Sequence, residues 1–187
     1  TLRTGVKDEV NAVVNMKLPG LVANMCGVTV EEYISMPTDR DNAIEFMGQM
    51  FTASVWADVL QPEGAGVEVL ACYQEDFYAG YPCVTENQYG EGRAVYIASD
   101  PEPGLIMELM RHYCRARGIH PLIPHGEGIE ATVREGNGRR YLFLLNHGDT
   151  DTMVRLPQGE CVDMLKETAI TDDTITIGAK GVAILKY

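Results

Sequence analysis

The sequence predicts an α/β domain followed by a small antiparallel β-sandwich, and three observations carry that prediction. Strand-like runs and a helically spaced apolar run, Leu105 to Tyr113, share the first 120 residues. A segment with two prolines and a glycine, His120-Pro121-Leu122-Ile123-Pro124-His125-Gly126, then interrupts the chain as a linker. Beyond it the apolar period becomes two, in short strands spaced about 8–12 residues apart, the signature of a small sandwich. The expected domains are residues 1–121 and 122–187.

Each element has a local reason. Thr1 to Gly5 resembles the tail of a strand entering a polar loop, so the chain is expected to begin inside a domain. Leu18-Pro19-Gly20 opens a short helix, Leu21 to Met25, because a proline near a first helical turn gives up only an N–H that has no partner there. Gly27 is its left-handed stop. Val28–Tyr33 alternates and is β-branched, which predicts a strand. Ala43–Phe46 and Phe51–Leu60 are further extended runs, and Val67–Tyr73 reads as the clearest buried strand. Ser54 to Ser99 holds the one tryptophan, Trp56, expected in the core, and ends in a hairpin, Cys83–Thr85 to Ala94–Ala98, around Gly90-Glu91-Gly92. Asp100-Pro101-Glu102-Pro103-Gly104 starts a helix carrying Leu105, Ile106, Leu109, Met110 and Tyr113, with arginines near its C-terminus and Gly118 as its end. After the linker, Ile129–Glu135 and Arg140–Leu145 pair across Gly136-Asn137-Gly138. Thr152–Leu156, Cys161–Leu165, Ile175–Ile177 and Val182–Leu185 complete the sandwich.

Composition narrows the function. The 187 residues carry a formal charge of -12, and no Lys/Arg cluster offers a phosphate backbone a partner, which argues against nucleic acid. No run approaches the roughly 20 apolar residues of a membrane span, so no membrane partner is expected. The five cysteines are odd in number, far apart and never in a CxxC pair, which reads as buried thiols in a reducing cytoplasm rather than a zinc site.

A search for catalytic chemistry finds none. Cys26 precedes Gly27 at a helix end rather than on a strand-to-helix nucleophile turn. His112, His120, His125 and His147 have no i, i+4 metal spacing, and Asn146-His147-Gly148-Asp149 reads as a turn. Glu31 and Glu32 are adjacent on a strand and face opposite ways, so they do not form the carboxylate pair of a glycosidase. Glu75-Asp76 and Asp172-Asp173 read as solvated loop charges. Gly90-Glu91-Gly92 and Gly126-Glu127-Gly128 lack the third glycine and following helix of a dinucleotide site. The expectation is therefore no catalytic, cofactor-binding or metal residue, and no cofactor.

Ordered blocks carry a resemblance. Arg3-Thr4-Gly5-Val6-Lys7-Asp8-Glu9, Leu18-Pro19-Gly20-Leu21, Cys26-Gly27-Val28 and Val30-Glu31-Glu32-Tyr33 resemble the trimerisation domain of glycoside hydrolase family 42 β-galactosidases. So do Trp56 to Ala65, Asp76 to Pro82 and Tyr89-Gly90-Glu91-Gly92. Residues 122–187, with Tyr141 to His147 as a signature strand, are similar to that family's C-terminal sandwich. The resemblance implies a truncated flavodoxin-like (class I amidotransferase-like) first domain whose opening elements would precede Thr1. It also implies a homotrimer, and a separate (β/α)8 barrel that binds the β-galactoside and carries the two catalytic glutamates and any zinc cluster. The reading is thus the non-catalytic oligomerisation and C-terminal portion of a bacterial β-galactosidase that hydrolyses terminal β-D-galactosides. Two alternatives stand beside it. One is a degenerate amidotransferase-like enzyme; the other is a carbohydrate-binding module using Tyr141, Phe143 or Tyr187, of which Tyr141 and Phe143 share one face, so that at least one of them is expected in the core.

Overall fold

The structure, a computed structural model, describes residues 3–123, 128–156 and 160–187. His125 and most of the Gly126-Glu127-Gly128 piece lie outside the described residues, as do Thr1 and Leu2 of the expected strand tail. The chain divides into two compact units, Thr1–Tyr113 and Cys114–Tyr187.

The first unit begins with turns and a single bridge between Lys7 and Val13. A 3-10 turn, Gly20–Val22, then leads into α1 (Ala23–Cys26), closed by Gly27 at φ 67° as its sequence position predicts. Seven strands follow: β1 (Val28–Ser35), β2 (Asn42–Phe46), β3 (Gln49–Pro62), β4 (Val67–Tyr73), β5 (Pro82–Tyr89), β6 (Gly92–Ile97) and β7 (Ser99–Pro101). Helix α2 (Pro103–Ala116) comes next. Strand order is β1-β3-β2-β4-β5-β6, with β7 returning to pair with β3.

Every pairing in this sheet is antiparallel, so the flavodoxin-like expectation does not hold for the described residues. The reason is the length of the connections. Parallel neighbours need a crossover of a dozen or more residues, whereas β2 and β3 are joined by Met47-Gly48 and β5 and β6 by Gly90-Glu91. Met47 and Gly48 have φ 52° and 77°, the left-handed pair that a tight hairpin requires.

Strand β3 organises the unit. Its first part pairs with β2, its last part with β1 along the same edge, and β7 takes the other edge from Ala53 to Ala57. The exchange of partners occurs at a bulge between Ser54 and Ala57, where Val55 adopts φ 65°, an uncommon conformation for a β-branched residue. Alternation then sorts the strand's residues. Phe51, Ala53, Ala57 and Val59 enter the main core with Ile44, Phe46, Tyr73, Val84 and, from α2, Leu105 and Leu109. Leu60 joins a second cluster with Cys26, Val28, Val30, Tyr96 and Ala98.

Two expectations need correction here. Strand β4 is buried only at Ala71 and Tyr73, because β2 reaches no further than Ala71 and leaves the Val67–Val69 end flanked by β5 alone. Trp56 is half-buried rather than in the core, since it sits beside the Val55 bulge.

In the second unit a five-stranded sheet, β12-β11-β14-β9-β8, is formed by β8 (Ile129–Gly136), β9 (Arg139–Asn146), β11 (Cys161–Asp163), β12 (Thr168–Ile170) and β14 (Val182–Lys186). A separate ribbon pairs β10 (Thr152–Arg155) with β13 (Thr174–Ile177). Asn137 and Gly138, at φ 52° and 69°, make the β8–β9 hairpin turn. Val154 and Ile177 of the ribbon pack with Leu142, Leu144, Ala183 and Leu185 of the sheet, which is a small sandwich. Because Leu142 and Leu144 take the inner face of β9, Tyr141 and Phe143 are both half-buried on its outer face, and neither is core as expected.

Candidate functional site

The residue types able to do chemistry are dispersed. Cys26, Cys83 and Cys161 are buried, and burial pushes their thiols and that of Cys72 above the usual range. A reactive cysteine needs the opposite shift. His112 meets Phe46 and Tyr113 edge to face, at 6.4 and 5.1 Å between ring centroids. His147 lies 3.0 Å from Glu130 Oε2 on the surface, and His120 is exposed. A bulge at Glu31 interrupts the alternation of β1, so Glu31 and Glu32 are both exposed, Glu31 paired with Lys17. Glu75-Asp76 and Asp172-Asp173 are exposed, and Gly90-Glu91-Gly92 forms a hairpin end. Among the described residues no three His, Cys, Asp or Glu side chains come together as a metal group.

Sequence reasoning missed the polar groups that the fold buries. Glu86 accepts from Arg93 at 2.7 Å and from the Tyr113 hydroxyl at 2.5 Å, joining β5, β6 and α2. Asp58, 1% exposed, accepts from Tyr96 at 3.1 Å through Oδ2, while its Oδ1 has no hydrogen-bond partner among the described residues. The hydroxyl of Tyr73 closes the same region by donating to the Ala98 carbonyl at 2.7 Å. The only sequence signal was an acid in the alternating run Ala57 to Leu60.

Burial raises the Asp58 carboxyl pKa, and the Tyr96 bond only partly offsets that. The folded chain therefore keeps this proton at pH values where the unfolded chain, near the ordinary value of about 4, has lost it. Stability from this group is full below the ordinary value and falls as pH rises through the raised one. Asp58→Asn, which keeps an acceptor for Tyr96, is expected to raise the urea midpoint at pH 7 more than at pH 4. An equal change at both pH values would contradict the assignment.

Among the described residues, the concavities of the first unit include three of similar size. One of about 400 Å³ is lined by charged and polar groups including Arg40, Asp41, Asn42, Glu75 and Asp76, but Asn42 spends its amide on the backbone of Gln74 and Glu75. A second, of about 340 Å³, lies among Asn24, Thr29, Glu63, Asn87 and Tyr89, with Thr29 already bonded to Glu63 at 2.9 Å. The third, of about 330 Å³, is a mainly apolar groove lined by Arg3, Tyr33, Ile34, Ser35, Val55 and Trp56. Tyr33 is 64% and Val55 58% exposed, an unusual presentation of large apolar groups on a strand pair.

Comparison with known proteins decides the family. The model of the β-galactosidase trimerisation domain matches residues 1–120, and that of the β-galactosidase C-terminal domain matches residues 128–187. The chain belongs to the β-galactosidase trimerisation family. Among its curated relatives, the β-galactosidase BgaP of Planococcus sp. (strain L4) is 30% identical across 99% of this chain, which covers 28% of that protein. BgaB of Geobacillus sp. (strain Y412MC61) is 29% identical across 98% of the chain and 27% of its own length. The crystal structure of the β-galactosidase from Bacillus circulans sp. alkalophilus superposes with a TM-score of 0.86 at 30% identity, over 97% of this chain and 27% of that one. The chain thus spans little more than a quarter of the relatives it matches.

Proposed function

We propose that this chain is the assembly-forming and C-terminal portion of a β-galactosidase, and that hydrolysis of terminal β-D-galactosides belongs to a barrel outside this sequence. The observation that supports the reading is the pair of family matches in order along the chain, against relatives about three and a half times as long. The residues agree in kind: thiols raised by burial, carboxylates dispersed or buried, and apolar side chains at the surface. On this reading residues 1–121 are the trimerisation domain and residues 122–187 the C-terminal domain of a cytoplasmic homotrimer. Free thiols at all five cysteines suit that reducing compartment.

The purified chain incubated with a chromogenic β-galactoside is expected to release no chromophore above a buffer control. Turnover that survives repurification would overturn the reading. The amidotransferase-like alternative gains no support from the cysteines.

A further inference from the structure

We infer that the exposed turn around Val10 and Val13 and the groove beside Trp56 are the two halves of one contact between copies of this chain, the turn of one copy seating in the groove of the next. The inference rests on the self-association reading above and names the surfaces that carry it.

A closed ring of three identical chains needs a head-to-tail contact, in which each chain presents two different, complementary patches. The first unit has such a pair. The projecting patch is the turn between Lys7 and Val13. Asp8 holds it in shape: its Oδ1 accepts from Val10 N at 3.1 Å and Ala12 N at 2.8 Å, while its own N–H donates to the Ala12 carbonyl at 2.9 Å. This ordered turn displays Val10 at 77%, Val13 at 71% and, just beyond it, Met16 at 55% exposure. Such exposed apolar groups on a turn fixed by its own side chain are a formed contact surface.

The receiving patch is the groove of Tyr33, Ile34, Ser35, Val55 and Trp56. Its volume of about 330 Å³ suits two aliphatic side chains, and tyrosine and tryptophan are the side chains most often found at the centre of energetic contacts. The bulge in β3 turns Val55 outward to form one wall.

Charge selects a second copy as the occupant. A chain of net charge -12 repels its own copies over most of its surface, so contact is least opposed where acids are missing. Among the described residues the groove lining holds no carboxylate and one cation, Arg3, while the turn, with Lys7 at its base, carries Asp8 and exposed Glu9 beside Val10. Glu9 of one copy against Arg3 of the next is the complementary pair that fixes register.

Sedimentation velocity at about 100 μM, where weak self-association is visible, tests this with three proteins. The turn variant is Val10→Asp with Val13→Asp, and the groove variant is Tyr33→Glu with Arg3→Glu. All four positions are exposed, so both variants are expected to keep the wild-type circular dichroism and urea midpoint. The wild type is expected as a trimer, and each variant alone as a monomer with association weakened about tenfold or more. A mixture of the two variants, which still holds one intact turn and one intact groove, is expected to give a one-to-one dimer that cannot close a ring. Variants that remain trimeric would overturn this contact while leaving self-association standing. A monomeric wild type would overturn both, and a mixture that stays monomeric although each variant dissociates would overturn the head-to-tail pairing.

Discussion

Asn146→Ala is expected to destabilise the second unit by about 1–3 kcal/mol, because the buried Ile177 carbonyl loses its partner while the part-buried carbonyls of Thr150 and Gly178 lose theirs. The Asn146 amide is 3% exposed and donates to the carbonyls of Thr150 at 2.8 Å, Gly178 at 3.0 Å and Ile177 at 3.1 Å. Its Oδ1 accepts from Gly148 N at 2.9 Å. One side chain therefore fastens the end of β9 to the end of β13 and shapes the turn between them. Truncation leaves the Ile177 carbonyl buried and unpaired, whereas those of Thr150 and Gly178 lie closer to solvent. Asn146→Asp is expected to fall in the same range, since an ionised carboxylate accepts but cannot donate to those carbonyls. Urea denaturation followed by far-UV circular dichroism checks both. A change below about 0.5 kcal/mol in either would mean that the carbonyls find other partners.

Gly20→Ala is expected to undock the segment ahead of α1. Gly20 has φ 57°, and a Cβ there would lie 2.2 Å from the Gly5 carbonyl oxygen. Gly5 is held equally close, its own Cβ position lying 2.1 Å from the Pro19 carbonyl oxygen. Both obstacles are backbone, so no rotamer change relieves them, and the two turns must separate. The penalty is limited by the free energy of detaching the segment, about 3 kcal/mol or more for a strained and clashing position. Hydrogen exchange should accelerate at Val14 N–H, bonded to Val6 at 3.0 Å, and at Leu21 N–H, bonded to Gly5 at 3.1 Å. Trypsin should gain cleavage at Lys7 and Lys17. Protection equal to wild type at both amides would refute the close approach. If the turn around Val10 seats in a neighbouring copy, the same substitution should also weaken association while β2 to β6 remain folded.

Local chemistry made much of the architecture legible in the sequence. Gly136-Asn137-Gly138 announced the β8–β9 hairpin because two consecutive left-handed residues have few other uses. Gly27 and the Leu105, Leu109, Tyr113 spacing announced α1 and α2 for equally local reasons. Ile106 and Met110 fitted the same helical pattern yet are exposed, since spacing marks a face and not how wide that face is buried. What escaped was non-local. Strand β12 is three residues long and carries Thr168 and Ala169, too little pattern to register. The antiparallel sheet escaped because the family resemblance implied a parallel one, and pairing depends on connections rather than on the strands themselves. Trp56 and Asp58 exchanged roles although they share one face of β3: the aromatic, beside the Val55 bulge, is half-exposed, while the acid, two residues further on, is buried and bonded to Tyr96. The candidate contact was visible only as an absence of chemistry, with Val10, Val13 and Tyr33 unremarkable until their exposure is known.

The bulge in β3 also constrains how this chain can change over evolutionary time. Side chains on a strand alternate with a period of two, so an insertion or deletion of one residue between Ser54 and Trp56 would invert everything downstream. Ala57 and Val59 would leave one core, and Asp58 and Leu60 would be driven into it. Length variation near β3 should therefore collect in Pro37 to Asp41, the exposed connection between β1 and β2, and avoid the three residues at which the strand changes partners.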